Sequence, residues 1–97
     1  MIAPTPVGAI IKRDILDRHD LTQDELARRL RVSRLTINEL VRGRRALTPG
    51  MALRFGRLTG QPARWWIDIQ AAHDIWQAQQ RDGDRIAAEV LPLSPEP

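Results

Sequence analysis

The chain has no cysteine and no tyrosine. Without thiols, neither a disulfide framework nor a cysteine-ligated zinc site can form, a composition compatible with a reducing cytoplasm. Histidine is almost as scarce, and neither His19 nor His73 has a second imidazole at a ligand spacing. The pair His73-Asp74 has no nucleophile to activate, and no glycine-rich phosphate loop is present, so the chain is not predicted to be an enzyme. Asp14, Asp17, Asp20, Asp24 and Glu25 are close in sequence, but acids at helix starts and on solvated faces complement the helix dipole without any cation. Nothing approaches the roughly 18 apolar residues of a membrane span. The opening MIAPTPVGAIIKRD lacks the basic region, apolar run and cleavage site of an export signal. These absences predict a soluble, unexported, cytoplasmic protein with no cofactor, no metal, no membrane contact and no small-molecule substrate. Internal repeats and low-complexity tracts are also missing.

Acid is missing from the middle of the chain. Between Arg28 and Arg64 there are ten arginines and a single carboxylate, Glu39, for a local charge of +9, whereas the remaining residues carry −6 and bring the whole to +3. Such segregation is the electrostatic footprint of a surface that binds a polyanion; the alternative is a solvated basic face with no partner. With 97 residues the chain makes one small domain with little stability to spare, and a partner subunit would help.

Within the basic segment, TQDELARRLRVSRLTINELVRG (Thr22 to Gly43) reads as two short helices joined by a tight turn. Thr22 and Glu25 make a Thr-x-x-Glu capping box, and Leu26, Ala27 and Leu30 form the buried stripe of the first helix. Ser33 is suited to cap a second helix over about Arg34 to Arg42, and Gly43 to end it in a left-handed turn. At 100° per residue, Ile37, Leu40 and Val41 face one way. Arg34, Leu35, Asn38, Glu39 and Arg42 face the other, with Thr36 on the flank. An arginine, an asparagine and an aliphatic group on one short helix match what guanine, adenine and the thymine methyl offer in the major groove. A solvated helix face is the competing account.

The remaining chain is scaffold for this pair. Residues 1–6, with two prolines, are expected to form an N-terminal arm. A first helix is predicted over Val7 to Arg18, with Val7, Ile10, Ile11 and Ile15 inward and Leu16 left for a neighbouring interface. Thr48-Pro49 opens a fourth helix that Gly60 closes, with Met51, Ala52, Phe55 and Leu58 inward. A fifth helix, after Gln61-Pro62, is expected to reach about Arg81. It has two apolar lines, Trp65, Ile69, Ala72 and Trp76 on one side and Ile67, Ala71, Ile75 and Ala78 on the other. One line is read as closing the domain and the other as meeting a symmetry mate, which makes Trp66, Ile67, Ala71 and Ile75 the dimer-interface candidates and implies a homodimer. The helix-turn-helix domain is thus placed at 7–81, with 82–97 as a flexible tail.

The run TQDELARRLRVSRLTINELVRGRRALTPGMALRFGRLTG followed by PARWWIDIQAAHDIW closely resembles the HigA-type antitoxins of the Xre/Cro, lambda-repressor-like helix-turn-helix family. The resemblance spans about Pro6 to Gln80. Gln23, Ala27, Ser33, Ile37 and Gly43 carry the motif, while Thr48-Pro49, Met51-Ala52-Leu53-Arg54 and the Trp66/Gln70 spacing carry the antitoxin character. It implies an all-α, five-helix lambda-repressor-like DNA-binding domain with short flexible termini. It also implies a dimer on a palindromic double-stranded DNA operator, a repressor of its own operon, and a cognate RelE/HigB-like ribonuclease toxin that it neutralises. By this likeness Arg34, Leu35, Asn38 and Glu39 read bases, and Thr22, Gln23, Ser33 and Thr36 contact the DNA backbone with help from Arg42, Arg44 and Arg45. Two positions depart from the family pattern: Arg31 stands where the inter-helix turn usually has glycine, and Val7-Gly8 where Pro-Gly is common.

Two readings compete with the autorepressing antitoxin. One is a protein-interaction module that masks a toxin with little DNA binding; the other is a stand-alone Xre-family transcriptional regulator without a toxin partner.

Overall fold

Pro4 and Pro6 keep the first residues out of regular structure, and the first helix starts directly after Pro6 in a computed structural model that describes residues 2–93. This helix, α1, is α-helical over Val7–Ile10 and runs on without a break as a π-helix over Ile11–Asp17. The sequence-based expectation of a plain α-helix is corrected here. A π-turn brings residues five apart into register, and the apolar positions have that spacing: Ile10 with Ile15, and Ile11 with Leu16. All four are buried. Leu16, assigned from the sequence to another interface, therefore belongs to the same core face. On the solvent side Lys12 meets Asp17, also five residues on, at 3.0 Å, and the Leu21 N–H closes the turn on the Leu16 carbonyl at 2.8 Å.

Helices α2 (Gln23–Leu30) and α3 (Arg34–Val41) follow, then α4 (Pro49–Thr59) and α5 (Ala63–Glu89). No strand occurs among the described residues, and the all-α, five-helix expectation holds. Each short helix is stopped by local chemistry. Thr48 accepts from the Met51 N–H to start α4, with Pro49 in its first turn, and Gly60 ends it at φ 86°. α4 packs mainly on α5, α2 on α3, and α1 on both α3 and α5. Gly8 makes the α1–α3 contact possible: a Cβ there would run into the carbonyl oxygens of Leu40 and Val41, so α1 crosses the end of α3 in backbone contact.

Leu26, Ile37, Leu40, Phe55 and Trp66 lie at the centre of the core with Ile11. Trp66 corrects the sequence reading, which placed it at a dimer interface. It is 2% exposed, its ring packs 5.0 Å from that of Phe55, and its indole N–H points to the Thr59 hydroxyl at 3.4 Å. A side chain so enclosed has no surface left for a second molecule. Trp65, expected on the inward line, is 38% exposed instead and stands edge-on to Trp66. The face of α5 that seals the domain lies between the two expected lines, with Trp66 buried and Ile67 and Ile69 packed partly against the core.

α5 also runs further than the sequence suggested. It continues through Asp82 and Gly83 to Glu89, so the expected boundary at residue 81 falls inside a helix. Asp82 accepts from Arg81 and from Arg85, both at 2.9 Å, and this ion-pair bracket spans Gly83. At 27 residues the helix is about 40 Å long, and it sets the 53 Å long dimension of the molecule. Residues 90–93 follow without helix, and the last part of the expected tail, 94–97, lies outside the described residues. No helix among the described residues is long and apolar enough to cross a membrane.

Candidate nucleic-acid interface

The helix pair is positioned from both ends by the caps that the sequence predicts. The Thr22 hydroxyl accepts from the Glu25 N–H at 3.1 Å, and the Glu25 carboxylate accepts from the Thr22 N–H at 2.8 Å, closing the capping box. That backbone hydrogen bond, and then the Thr22 side chain, hold the Glu25 carboxyl below the usual glutamate range. Leu26, Ala27 and Leu30 are buried as expected. α2 then ends at Arg31, whose φ of 61° and ψ of 43° place it in the left-handed region. The non-glycine residue thus keeps the turn geometry that glycine normally supplies. Its N–H closes on the Arg28 carbonyl at 3.2 Å, and the Val32 N–H on Ala27 at 3.0 Å.

Ser33 caps α3 by accepting from the Thr36 N–H at 3.1 Å, and its hydroxyl also meets that of Thr36 at 2.8 Å. Ile37 and Leu40 are fully buried. Gly43 follows the helix at φ 72°, as predicted. On the opposite face Arg34 and Leu35 are exposed, Leu35 by 61%, while Asn38 and Glu39 are half-buried. The structure brings all four expected base-reading residues onto one side of one helix, and Thr22, Gln23, Ser33 and Thr36 line its approach from α2 and the turn.

Three of the four are already engaged within the chain. Asn38 donates its amide Nδ2 to Gln23 Oε1 at 3.2 Å, which ties α3 to the first residue of α2. Arg34 lies 3.7 Å from the Asp24 carboxylate. Glu39 accepts from Arg45 Nε at 2.9 Å and Nη2 at 2.6 Å, both on the same oxygen, Oε1. Arg42 and Arg44 are exposed and make no ion pair among the described residues. The face is therefore basic, solvated and partly preorganised.

Two supporting residues take their partners only in three dimensions. Arg54 on α4 donates to the Leu30 carbonyl at 2.8 Å, satisfying an end carbonyl of α2. Gln70 on α5 accepts from the Leu47 N–H at 2.9 Å and donates to Asp74 at 2.8 Å, anchoring the loop that carries Arg44 and Arg45. The Trp66/Gln70 spacing flagged Gln70 in the sequence. Arg54 was singled out only as part of the family-like run Met51-Ala52-Leu53-Arg54, and nothing local pointed to its hydrogen bond, because its partner is 24 residues away. Among the described residues no group of three or more metal-ligating side chains is assembled.

Residues 12–66, more than half of the chain, match the helix-turn-helix family. The virulence-associated protein I of Dichelobacter nodosus is 38% identical over 87 residues, covering 90% of this chain and 79% of that protein. The antitoxin HigA-1 of Vibrio cholerae is 31% identical over 78 residues, 80% of this chain and 73% of the antitoxin. The chain belongs to the HigA-type antitoxins of the Xre/Cro helix-turn-helix family. A solved structure of the Pseudomonas aeruginosa antitoxin HigA with the higBA promoter superposes with a TM-score of 0.89 at 33% identity, over 93% of this chain and 98% of that one. This HigA-type family and its fold are those of DNA-binding antitoxins rather than of enzymes.

Proposed function

We propose that this HigA-type chain is a sequence-specific DNA-binding antitoxin. In this reading it binds a palindromic operator as a homodimer, represses its own operon, and neutralises a RelE/HigB-like ribonuclease toxin. The observation that carries the DNA-binding half is the exposed face of α3, capped at Ser33 and flanked by the exposed Arg42 and Arg44, in a fold shared with an antitoxin solved on promoter DNA. α3 enters the major groove, where Arg34 donates to guanine, Asn38 both donates to and accepts from adenine, Leu35 packs on a thymine methyl, and Glu39 accepts from cytosine. Thr22, Gln23, Ser33 and Thr36, with Arg42 and Arg44, hold the phosphates and fix register without reading sequence, and Arg45 supplies a further phosphate contact.

Dimerisation is assigned to the outer side of α5. Ala71 is half-buried there, as is Ile67, which also packs partly against the core; Ile75 is 59% exposed, and the added helical turns extend the same side to Ile86, which is 48% exposed. Two copies joined in this way present two α3 helices to successive major-groove faces of a palindrome.

One purification and one titration test the proposal. Co-expression with the small open reading frame beside this gene, followed by tagged purification, is expected to return a stoichiometric complex; recovery of the chain alone would favour the stand-alone regulator. In DNA titrations Arg34→Ala should lose about 1–3 kcal/mol on the preferred duplex and relax preference at one base pair, while Arg44→Ala should weaken all sequences alike. Unchanged binding by both variants would exclude this docking.

A further inference from the structure

The proposed docking face contains a contact that opposes it. Arg45, in the loop after α3, directs Nε and Nη2 at a single oxygen of Glu39, although one is assigned to a phosphate and the other to a base. A guanidinium fork fits a carboxylate and a phosphate in the same way, so the two compete for it. Neither partner is locked in place: their side chains are 46% and 31% exposed, and an ion pair open to solvent is weak. The Gln70 clamp on the Leu47 N–H holds the loop beside α3, which keeps Arg45 within reach of Glu39. Once its arginine is removed, Glu39 is an acceptor-only anion beside DNA, and the base group that satisfies it in the major groove is the cytosine amino group.

We infer that Glu39 and Arg45 form an exchangeable pair that links one phosphate contact to the identity of one base; this rests on the DNA-binding reading above. Cytosine opposite Glu39 takes over the carboxylate and releases Arg45 to a phosphate. Guanine and thymine, which offer no donor there, leave the pair closed, and that phosphate contact is not made. Specificity at this position is then larger than the base contact alone provides, because the wrong sequence also loses a backbone contact. Arg42 and Arg44, which pair with no acid among the described residues, contact phosphate on any sequence.

The test uses the full chain, a duplex recovered with it from a random-sequence library, and a scrambled duplex of the same composition, each titrated across salt. Failure to enrich any duplex would remove the DNA-binding reading itself, and the inference with it. With enrichment, Arg45→Gln should lower the salt slope on the selected duplex by about 0.9 per protomer and leave the scrambled slope unchanged. Glu39→Gln should steepen the scrambled slope by the same amount, adding about a threefold loss of affinity between about 50 and 200 mM salt. It should also erase the cytosine preference at its position. In the double variant the Glu39→Gln effect on scrambled DNA should vanish. An equal loss of slope on both duplexes from Arg45→Gln, or a Glu39→Gln effect that persists without Arg45, would overturn the exchange and leave Glu39 a simple repulsive charge. Both side chains are at the surface, and an unchanged melting temperature verifies that each variant is folded.

Discussion

Arg31 holds a backbone conformation that L-residues avoid. Its φ of 61° brings its Cβ close to the neighbouring carbonyl, at a cost of about 1–2 kcal/mol relative to the right-handed region. The turn accepts this because it lies between two capped helices whose hydrophobic faces are fixed by Leu26, Leu30, Ile37 and Leu40. Replacing Arg31 with glycine relieves the strain but also loosens the unfolded chain, so a net gain of about 1 kcal/mol is expected, read as a higher denaturation midpoint with unchanged slope. A loss of stability would mean that the Arg31 side chain contributes more than its backbone costs. At this scale the sequence was informative wherever chemistry is local. Thr22, Ser33, Thr48, Gly43 and Gly60 all do what their neighbours in sequence imply. It was uninformative where a side chain finds a distant partner, as Arg54 does at Leu30 and Arg45 at Glu39. It also misled at Trp65 and Trp66: adjacent residues point about 100° apart on a helix, and periodicity alone does not say which of the two directions is the core.

Among the elements, α2 is the one whose stability should respond most directly to acid. The Glu25 carboxyl titrates below the ordinary glutamate value because the Thr22 N–H and hydroxyl favour its charged form. A carboxylate lowered in the folded state stabilises the fold above its unfolded pKa, and that contribution is lost as pH falls through the lowered folded value. Asp14, lowered by its hydrogen bond from Arg13, and Asp82, lowered by Arg81 and then Arg85, act in the same direction. The melting temperature is therefore expected to fall on acidification below the ordinary carboxylate range. Glu25→Gln keeps an acceptor for the Thr22 N–H but cannot ionise, so its acid limb should be shallower, by less than one proton of slope. An acid limb identical to the parent's would show that the capping box contributes nothing through charge. The other elements show why helix limits were only partly legible. The five-residue spacing in α1 looks like a slightly irregular α-helical stripe until the π-turn is seen. The end of α5 was misjudged because glycine among acids ordinarily marks a terminus, whereas here Asp82 is held by arginines on both sides of Gly83.

The whole molecule is a small core closed by the first turns of one long helix, whose later turns contribute little to that core. Trp66 is the only fully buried residue of α5, and the turns beyond the domain expose Ile75 and Ile86 at 59% and 48%. Single exposed apolar residues are ordinary. These two stand eleven residues apart, about three helical turns, so they fall on one side, with Ala71 a turn before them and Ala78 between them. A helix that projects with an apolar side and little of its own core to cover it is suited to an isologous contact, in which each copy covers the other. Changing both Ile75 and Ile86 to glutamate should therefore leave the fold intact, because neither touches the buried core. The same change should convert a dimer at micromolar concentration to a monomer, as read by light scattering. If the two α3 helices read one palindrome together, the variant should also bind a single half-site like the parent and lose the extra affinity that comes from linking two. A parent that is already monomeric at this concentration would remove the pairing argument, and the charged face of α3 would then have to act as a single reader.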